Sequence, residues 1–355
     1  MTENWTGKKV LITGVAGTVG QELFRQLEKM DVAEIVGIDC NESELFFLEQ
    51  SHLDKENIHF FLCDIKDRES LEQRMRGCDI VLHAAAFKHV GLCEYSPRSA
   101  VGTNIIGVQN VIDAATNAGV ERVLFTSSDK AVNPSNVMGT SKLMGERLIT
   151  AANLRRRKDD PIFGVTRFGN VLGSRGSVVP IFKQQIEKGE AVTVTDKDMS
   201  RFVMTLEEAA DLVLETALIF KGGEVFITKM PIMNVVDLAS VMIEELAPRN
   251  GYKPEDIEVK ITGARPGEKL YEELLNSEEV RRSMESEKFF IIMPALEDTE
   301  YSYEDMSTSA ATLPYTSANA EAMNKKDLRA YMYTHGLIEP TDMEETEKVQ
   351  HLKVV

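Results

Sequence analysis

The sequence predicts an α/β fold, a doubly wound parallel sheet joined to a smaller carboxyl-terminal region, and three observations carry that expectation. Short apolar, β-rich runs alternate with helical patterns through the first half of the chain. A turn with regularly spaced glycines follows the first run, and beyond about Gly169 the alternation breaks into shorter elements separated by Gly- and Pro-containing segments.

Strands are expected near Val10–Thr13, Ile35–Ile38, His59–Leu62, Ile80–His83, Arg122–Thr126 and Phe163–Arg167, with helices starting near Thr18, Ser43, Arg68, Pro97 and Asn136. Repeated units of this kind give a parallel sheet covered on both faces. The helix from Pro97 carries apolar residues at Val101, Ile105, Val108, Val111, Ile112 and Ala115, the helical period of a buried stripe, so its role is packing. Further helices are expected across Val178–Lys188, Leu206–Phe220 and Val235–Leu246, with irregular segments at Gly173–Pro180 and Gly263–Gly267.

Residues 1–170 are expected to form the first domain, with later segments returning to it. Residues 171–300 should form a substrate-binding region whose loops fold over the carboxyl edge of the sheet, and 301–355 an extension. Within that extension a Ser/Thr-rich stretch runs through Thr316 and a short helix is expected across Lys325–Tyr333. The last ~15 residues lack apolar anchors and are expected to be mobile.

At 355 residues, with 43% hydrophobic and 27% charged residues, the chain has ordinary globular composition and room for a large core. A formal charge of −17 disfavours nucleic acid and anionic membrane surfaces as partners, so an anionic ligand needs a local basic pocket. Cys40, Cys63, Cys78 and Cys93 form no CxxC pair, which reads as reduced thiols with no disulfide and no metal site. The start MTENWTGKKV lacks a signal-peptide pattern, and no stretch approaches the roughly 18 apolar residues of a membrane span, so a cytoplasmic protein is expected.

Gly14, Gly17 and Gly20 in TGVAGTVG stand between the run KKVLIT and a helix, with Thr18 and Val19 inside the turn. Such a turn lets backbone approach a pyrophosphate while the helix N-terminus donates N–H groups. Asp39 ends the second strand about 20 residues on, where a carboxylate accepts from adenosine ribose hydroxyls and repels a 2′-phosphate. A Rossmann dinucleotide fold binding NAD is therefore expected. Asp64 in FLCDI is placed for the adenine edge, and equally for a surface loop.

FTSSDKAVNPSNVMGTSK, Phe125–Lys142, lies at the carboxyl end of the fifth strand, where open α/β sheets hold their ligands. It offers Ser128, Asp129 and Lys130 in succession. Met138 and Lys142 follow on one face of the next helix. This run, together with HAAAFKHV (His83–Val90), RFGNVLGSRGSVVP (Arg167–Pro180), SRF (Ser200–Phe202) and RPGEKLYEE (Arg265–Glu273), resembles the UDP-N-acetylglucosamine 4,6-dehydratases of the extended short-chain dehydrogenase/reductase superfamily. The likeness covers roughly residues 8–300 in order.

The resemblance implies NAD-dependent oxidation of the sugar at C4, loss of water across C5 and C6, and return of the hydride to C6. It implies Lys130 as the base at C5 and Asp129 as the acid for the 6-hydroxyl. Passing a proton from Lys130 to Asp129 in a dry pocket would leave a neutral, ready pair titrating as a unit. Lys142 resembles the superfamily lysine that holds the nicotinamide ribose. Met138 replaces the usual tyrosine, and a thioether is no base near neutral pH. The resemblance extends to a methionine-bearing subgroup that retains C5 configuration, with many membrane-anchored members. The substitute base is left open among Asp129, a Ser128 relay and ordered water.

The same likeness implies cofactor contacts from Ile65, Ala84, Ala85, Lys88 and Asn104. It implies substrate contacts from Lys88, His89, Asn170, Arg175, Ser177, Val178, Arg201, Arg265 and Glu268, with arginine forks on the diphosphate and Glu268 on the uridine ribose. The partner expected is a UDP-sugar, with guanine in place of uracil still open, and the chain should be a homo-oligomer. The rival readings are a nucleotide-sugar 4-epimerase and a non-catalytic NAD-sensing regulator.

Overall fold

The computed structural model of the chain describes residues 5–296, 301–303 and 306–339. The acidic end expected to be mobile falls outside them. In the first half β1 (Lys9–Thr13), α1 (Thr18–Leu27), β2 (Glu34–Asp39), α2 (Glu42–Gln50), β3 (Ile58–Leu62), α3 (Arg68–Met75) and β4 (Ile80–His83) follow the expected alternation. Next come α4 (Val90–Tyr95), α5 (Pro97–Val101), a π-helical segment (Gly102–Ile106), α6 (Gly107–Ala118), β5 (Arg122–Ser128), α7 (Val137–Leu154) and β6 (Ile162–Phe168). These strands pair in parallel in the order β3-β2-β1-β4-β5-β6, the doubly wound arrangement of the Rossmann fold.

Two local features depart from expectation. The segment after His89 forms α4, a single short helix with little apolar period to announce it. The helix from Pro97 runs on to Ala118 but widens to π geometry over Gly102–Ile106. Such a bulge redirects side chains and often stands at functional sites. Here it aims Asn104 at the loop after β4.

Beyond Gly169 the elements are β7 (Asn170–Val171), α8 (Val178–Glu187), β8 (Val192–Val194), β9 (Ser200–Met204), α9 (Leu206–Ile219), β10 (Val225–Thr228), β11 (Ile232–Asn234) and α10 (Val235–Leu246). They are followed by β12 (Val259–Ile261), β13 (Glu273–Leu275), β14 (Ser283–Glu285), β15 (Phe289–Ile292), β16 (Ser309–Ala310), β17 (Tyr315–Thr316) and α11 (Lys325–Thr334). Pro180, read as part of an irregular segment, sits in the first turn of α8, where its missing N–H leaves no bond unmade. Thr205 and Glu208 close a reciprocal capping box that starts α9.

The sheet is wider than the first half alone supplies. β10 adds in parallel beside β6, and β15, β14 and β16 continue it in antiparallel, giving ten strands. These late strands have two to four residues, too short for a two-residue period to mark them in sequence. One apolar core fills both faces of this sheet, and a second lies between α8, α10, α11 and β8.

A buried ionic triad ties three distant segments together. Arg167 of β6 donates through Nε and Nη2 to both oxygens of Glu146 on α7, at 3.0 and 2.6 Å. Its Nη1 and Nη2 also reach Glu279 at 3.1 and 3.0 Å, and Nη1 reaches the Leu274 carbonyl at 2.8 Å. Burial alone would lower the guanidinium pKa, but the two carboxylates outweigh it and fix the positive charge.

Candidate active site

The glycine turn is built for close backbone contact. Gly14 takes φ +73°, and a Cβ there would lie 2.7 Å from Ala85 Cα. At Gly20 a Cβ would stand 2.1 Å from the Gly14 carbonyl oxygen. Whereas α2, α7 and α9 begin on side-chain caps from Asn41, Asn136 and Thr205, α1 begins on Gly17 with no side-chain cap and no acid in its first turn. Its N–H groups are thus left for an anion, and Gly17, Thr18, Val19 and Gly20 line the cleft described below. Gly20→Ala should open this turn at a cost of about 1–3 kcal/mol, seen as about a fivefold to hundredfold loss of NAD affinity by calorimetry with the circular dichroism spectrum unchanged. Undiminished affinity would show that the turn does not hold the dinucleotide.

Asp39 Oδ2 accepts from the Ala16 N–H at 3.0 Å and Oδ1 from Asn41 N–H at 3.0 Å, so the carboxylate also braces the turn. Asp64 is a surface loop acid here, paired with Lys66 at 3.0 Å. Ile65 is a core residue packed under Gly107. Asn104 likewise stops short of the cleft. Its amide spans the Phe87 N–H and carbonyl at 2.8 and 2.9 Å and reaches Ser141 Oγ at 2.9 Å, which fixes the loop carrying Ala84, Ala85 and Lys88.

Behind that loop His83 is fully buried, with Nδ1 2.6 Å from Thr13 Oγ1. Burial, with a smaller contribution from the Lys142 charge, pushes its pKa down to about 3. The folded state therefore resists a proton that the unfolded chain accepts below about pH 6.5. Stability is full above that pH and falls as the pH drops from 6.5 toward 3, by about 1.4 kcal/mol per pH unit. Denaturant melts between pH 6.5 and 5 should show a slope steeper by one proton than in His83→Gln; equal slopes would sink the assignment.

At the carboxyl edge of β5, Ser128 Oγ donates to Asp129 Oδ1 at 2.5 Å. The same oxygen accepts from the Lys130 N–H at 2.8 Å and Lys130 Nζ at 3.0 Å. Asp129 is 0% exposed, and its Oδ2 has no hydrogen-bond partner among the described residues. Ser128 and Lys130 line the cleft and Asp129 lies behind them. Lys130 Nζ also donates to Asn170 Oδ1 at 3.3 Å and lies 3.8 Å from Glu272 Oε1.

Both carboxylates bear on the protonation of Lys130, Asp129 more than Glu272. Desolvation pulls the Lys130 pKa down, but Asp129 and Glu272 outweigh it and raise it above the ordinary lysine value. In the open cleft Lys130 is an ammonium, not the neutral amine expected from the Asp129–Lys130 pair alone. Glu272 was missed although it stands inside RPGEKLYEE, because nothing local distinguishes it from the neighbouring Glu268 and Glu273.

On α7, Met138 is buried against Cys93 and Ala100 with its side chain on the cleft wall. Lys142, one turn further, donates to the Thr126 carbonyl at 2.9 Å and lies over the Phe125 ring. Burial, opposed by Glu146, brings its pKa down to about 8.

The expected substrate arginines divide. Arg201 is inward: Nη1 donates to the Ser200 and Leu270 carbonyls, Nη2 to Lys269, and Nε faces Glu272 at 3.8 Å, so its fork is spent on protein. Arg175 lines the cleft but reaches toward the glycine turn, pairing with Glu44 of α2 at 2.9 Å while its N–H meets Thr18 Oγ1 at 3.4 Å. Arg265 is exposed on a turn closed by Glu268, whose Oε2 accepts the Arg265 N–H at 3.1 Å. Neither of these last two lines the cleft.

Ser177 is the N-terminal flank of α8, again without a side-chain cap, and its buried Oγ lacks a partner among the described residues. Val178 turns to the second core. Lys88 and His89 line the cleft mouth; desolvation first, then a neighbouring positive charge, lowers both pKa values. The glycine turn, Lys88, His89, Ser128, Lys130, Met138, Lys142, Asn170, Arg175 and Ser177 line one cleft of about 780 Å³, which the bare ends of α1 and α8 border.

A Rossmann sheet with a phosphate-type turn and a buried carboxylate–lysine cluster at its carboxyl edge defines a dinucleotide-fold protein equipped for proton transfer. The chain belongs to the polysaccharide biosynthesis protein family, which it matches over residues 10–294. It is 47% identical to an uncharacterized membrane protein of Methanocaldococcus jannaschii, over 91% of this chain and 94% of that one. A UDP-N-acetylglucosamine 4,6-dehydratase (inverting) of Campylobacter jejuni is 40% identical, over 81% and 84%. The chain spans 48% of the longer capsular polysaccharide biosynthesis protein CapD of Staphylococcus aureus, at 42% identity over 80% of this chain. A UDP-glucose 4-epimerase of Rickettsia typhi is 33% identical over 92% and 96%.

Among solved structures, Pen from Bacillus thuringiensis superposes with a TM-score of 0.88 at 39% identity, over 94% of this chain and 99% of that one. A dTDP-glucose 4,6-dehydratase of Streptomyces venezuelae, solved with NAD bound, shares the fold at TM-score 0.65 and 21% identity, over 74% and 86%. Among the described residues no helix is long and apolar enough to cross a membrane, and no group of three or more His, Cys, Asp or Glu residues is placed to hold a metal.

Proposed function

We propose that this protein is an NAD-dependent nucleotide-sugar 4,6-dehydratase acting on UDP-N-acetylglucosamine. The observation that carries the reading is the Ser128–Asp129–Lys130 cluster at the sheet edge, whose Ser128 and Lys130 line the same cleft as the bare N-terminus of α1 with Asp129 buried behind them. The glycine turn fits a pyrophosphate, because its backbone packs more closely than a Cβ at Gly14 or Gly20 would allow and no side chain competes for the helix N–H groups. Bound there, NAD supplies the reversible removal of a hydride from C4 and its return at C6.

The chain's own residues handle the protons. Ser128 hands the C4 hydroxyl proton to Asp129 through their 2.5 Å hydrogen bond, which replaces the missing phenol at Met138. Asp129, now protonated, returns that proton through Ser128 to the departing 6-hydroxyl. Lys130 takes the C5 proton once it has become neutral, and gives one back to C5 in the final step. A single amine working from one side of the ring keeps the C5 configuration, in contrast to the reaction named for the Campylobacter jejuni relative. Lys142 orients the nicotinamide ribose, and the bare end of α8 with Lys88 and Arg175 meets sugar-nucleotide or cofactor phosphate.

Incubation with UDP-N-acetylglucosamine in deuterated water, followed by NMR, tests this. A 4-keto-6-deoxy product carrying deuterium at C5 with unchanged configuration is expected. An epimerised hexose would establish the 4-epimerase reading that the Rickettsia relative's name favours, and an unaltered sugar would leave the chain without this activity.

A further inference from the structure

In the proposed dehydration Lys130 acts as a base, yet its surroundings keep it protonated, so the proton on its amine needs somewhere to go. Asp129 cannot take it while holding the proton from the C4 hydroxyl. We infer that Glu272 is a third ionisable member of the Asp129–Lys130 cluster, a positioning residue that clamps Lys130 together with Asp129 and holds the proton Lys130 gives up. This inference rests on the proposed dehydration.

Geometry supports the role. The segment carrying Glu272 is pinned on every side: Ser135 and Asn136 donate to the Gly267 carbonyl, Lys269 Nζ to Val132, Arg201 to the Lys269 and Leu270 carbonyls, and Glu272 N–H to Ser317 Oγ. Only 3% of the residue is exposed, and the carboxylate lies with Oε1 3.8 Å from both Lys130 Nζ and Arg201 Nε. Its Oε2 is buried with no hydrogen-bond partner among the described residues, an open place for a proton.

The three N–H bonds of the Lys130 ammonium thus have three oxygens around them, from Asp129, Asn170 and Glu272, with Glu272 the most distant. Burial raises the Glu272 pKa, Lys130 opposes that and Asp129 adds to it, with Arg201 and Lys269 as the other charges facing it. A carboxyl held up in this way and an amine beside it can exchange one proton with little change in net charge.

The balance closes over the cycle. Asp129 gains the C4 hydroxyl proton and Glu272 gains the Lys130 proton. Neutral Lys130 removes the C5 proton as Asp129 protonates the leaving hydroxyl, releasing water. Lys130 then returns a proton to C5 and recovers its own from Glu272, so all three groups end as they began.

Glu272→Gln keeps the shape and abolishes the proton site. The Lys130 ammonium, followed by NMR of isotopically labelled lysine and assigned with Lys130→Met, should titrate about one pH unit lower in the variant, because an opposing charge has gone. kcat for UDP-N-acetylglucosamine should fall by about 10², with KM within a few-fold. Glu272→Asp, which keeps the charge but withdraws it, should show smaller changes of the same sign and serves if the glutamine form does not fold. An unshifted Lys130 titration overturns the inference whatever the turnover. A shifted titration in a protein that never dehydrates the sugar supports the clamp and overturns the substrate and reaction instead.

Discussion

Lys130→Ala is expected to lower the turnover of UDP-N-acetylglucosamine by about 10²–10⁴, the usual contribution of a positioned acid or base. Among the described residues Lys130 is the one amine that lines the cleft with a direct contact to Asp129, at 3.0 Å. In the proposed reaction the C5 proton then has no acceptor, since Asp129 and Glu272 are buried and neither lines the cleft. The loss should appear in kcat more than in KM, because in the proposed reaction the amine acts on a proton in flight and not on the bound sugar. NAD affinity should be unchanged, as the glycine turn is untouched. In deuterated water the variant should leave the C5 hydrogen in place, and wild-type exchange and product formation would remove Lys130 from the mechanism.

Arg167→Leu is expected to cost about 3–5 kcal/mol of folding stability, because it strands two buried carboxylates at once. Glu146 and Glu279 are each 3% exposed and take four of the five hydrogen bonds that Arg167 makes. Burial raises the Glu279 pKa, but Arg167 outweighs it and holds the carboxyl below its ordinary range. Chemical denaturation at neutral pH measures the loss. A triple variant, Arg167→Leu with Glu146→Leu and Glu279→Leu, should recover much of it, since no charge is then left unpaired. A single variant as stable as the parent would mean that the triad contributes nothing. Glu146 is also one turn beyond Lys142 on α7, so breaking the triad should disturb the cofactor side of the cleft as well as the fold.

Much of the dinucleotide half was legible because its signals are local. The run KKVLIT, the turn TGVAGTVG and Asp39 lie within one βαβ unit, and β1 to β6 fall within about two residues of their expected positions. The Ser128–Asp129–Lys130 sequence is local too, which is why it could be singled out before any contact was known. Asn104 and Arg201 were harder. Both are polar residues that the family likeness assigns to ligand, and both spend hydrogen bonds on backbone that shapes the cleft. Arg175 was read as a sugar contact, whereas its pairing with Glu44 sets it across the glycine turn.

By itself the amino-acid sequence determined where the turn, the strands and the Ser128–Asp129–Lys130 triplet lie, since hydrophobic period and glycine spacing act over a few residues. Tertiary structure alone decided which charges share the site: it placed Glu272 beside Lys130, turned Arg201 inward and made the lysine an ammonium. The cause is electrostatic. A pKa depends on burial and on groups within a few ångströms in space, and no local pattern records which distant carboxylate the fold will bring there.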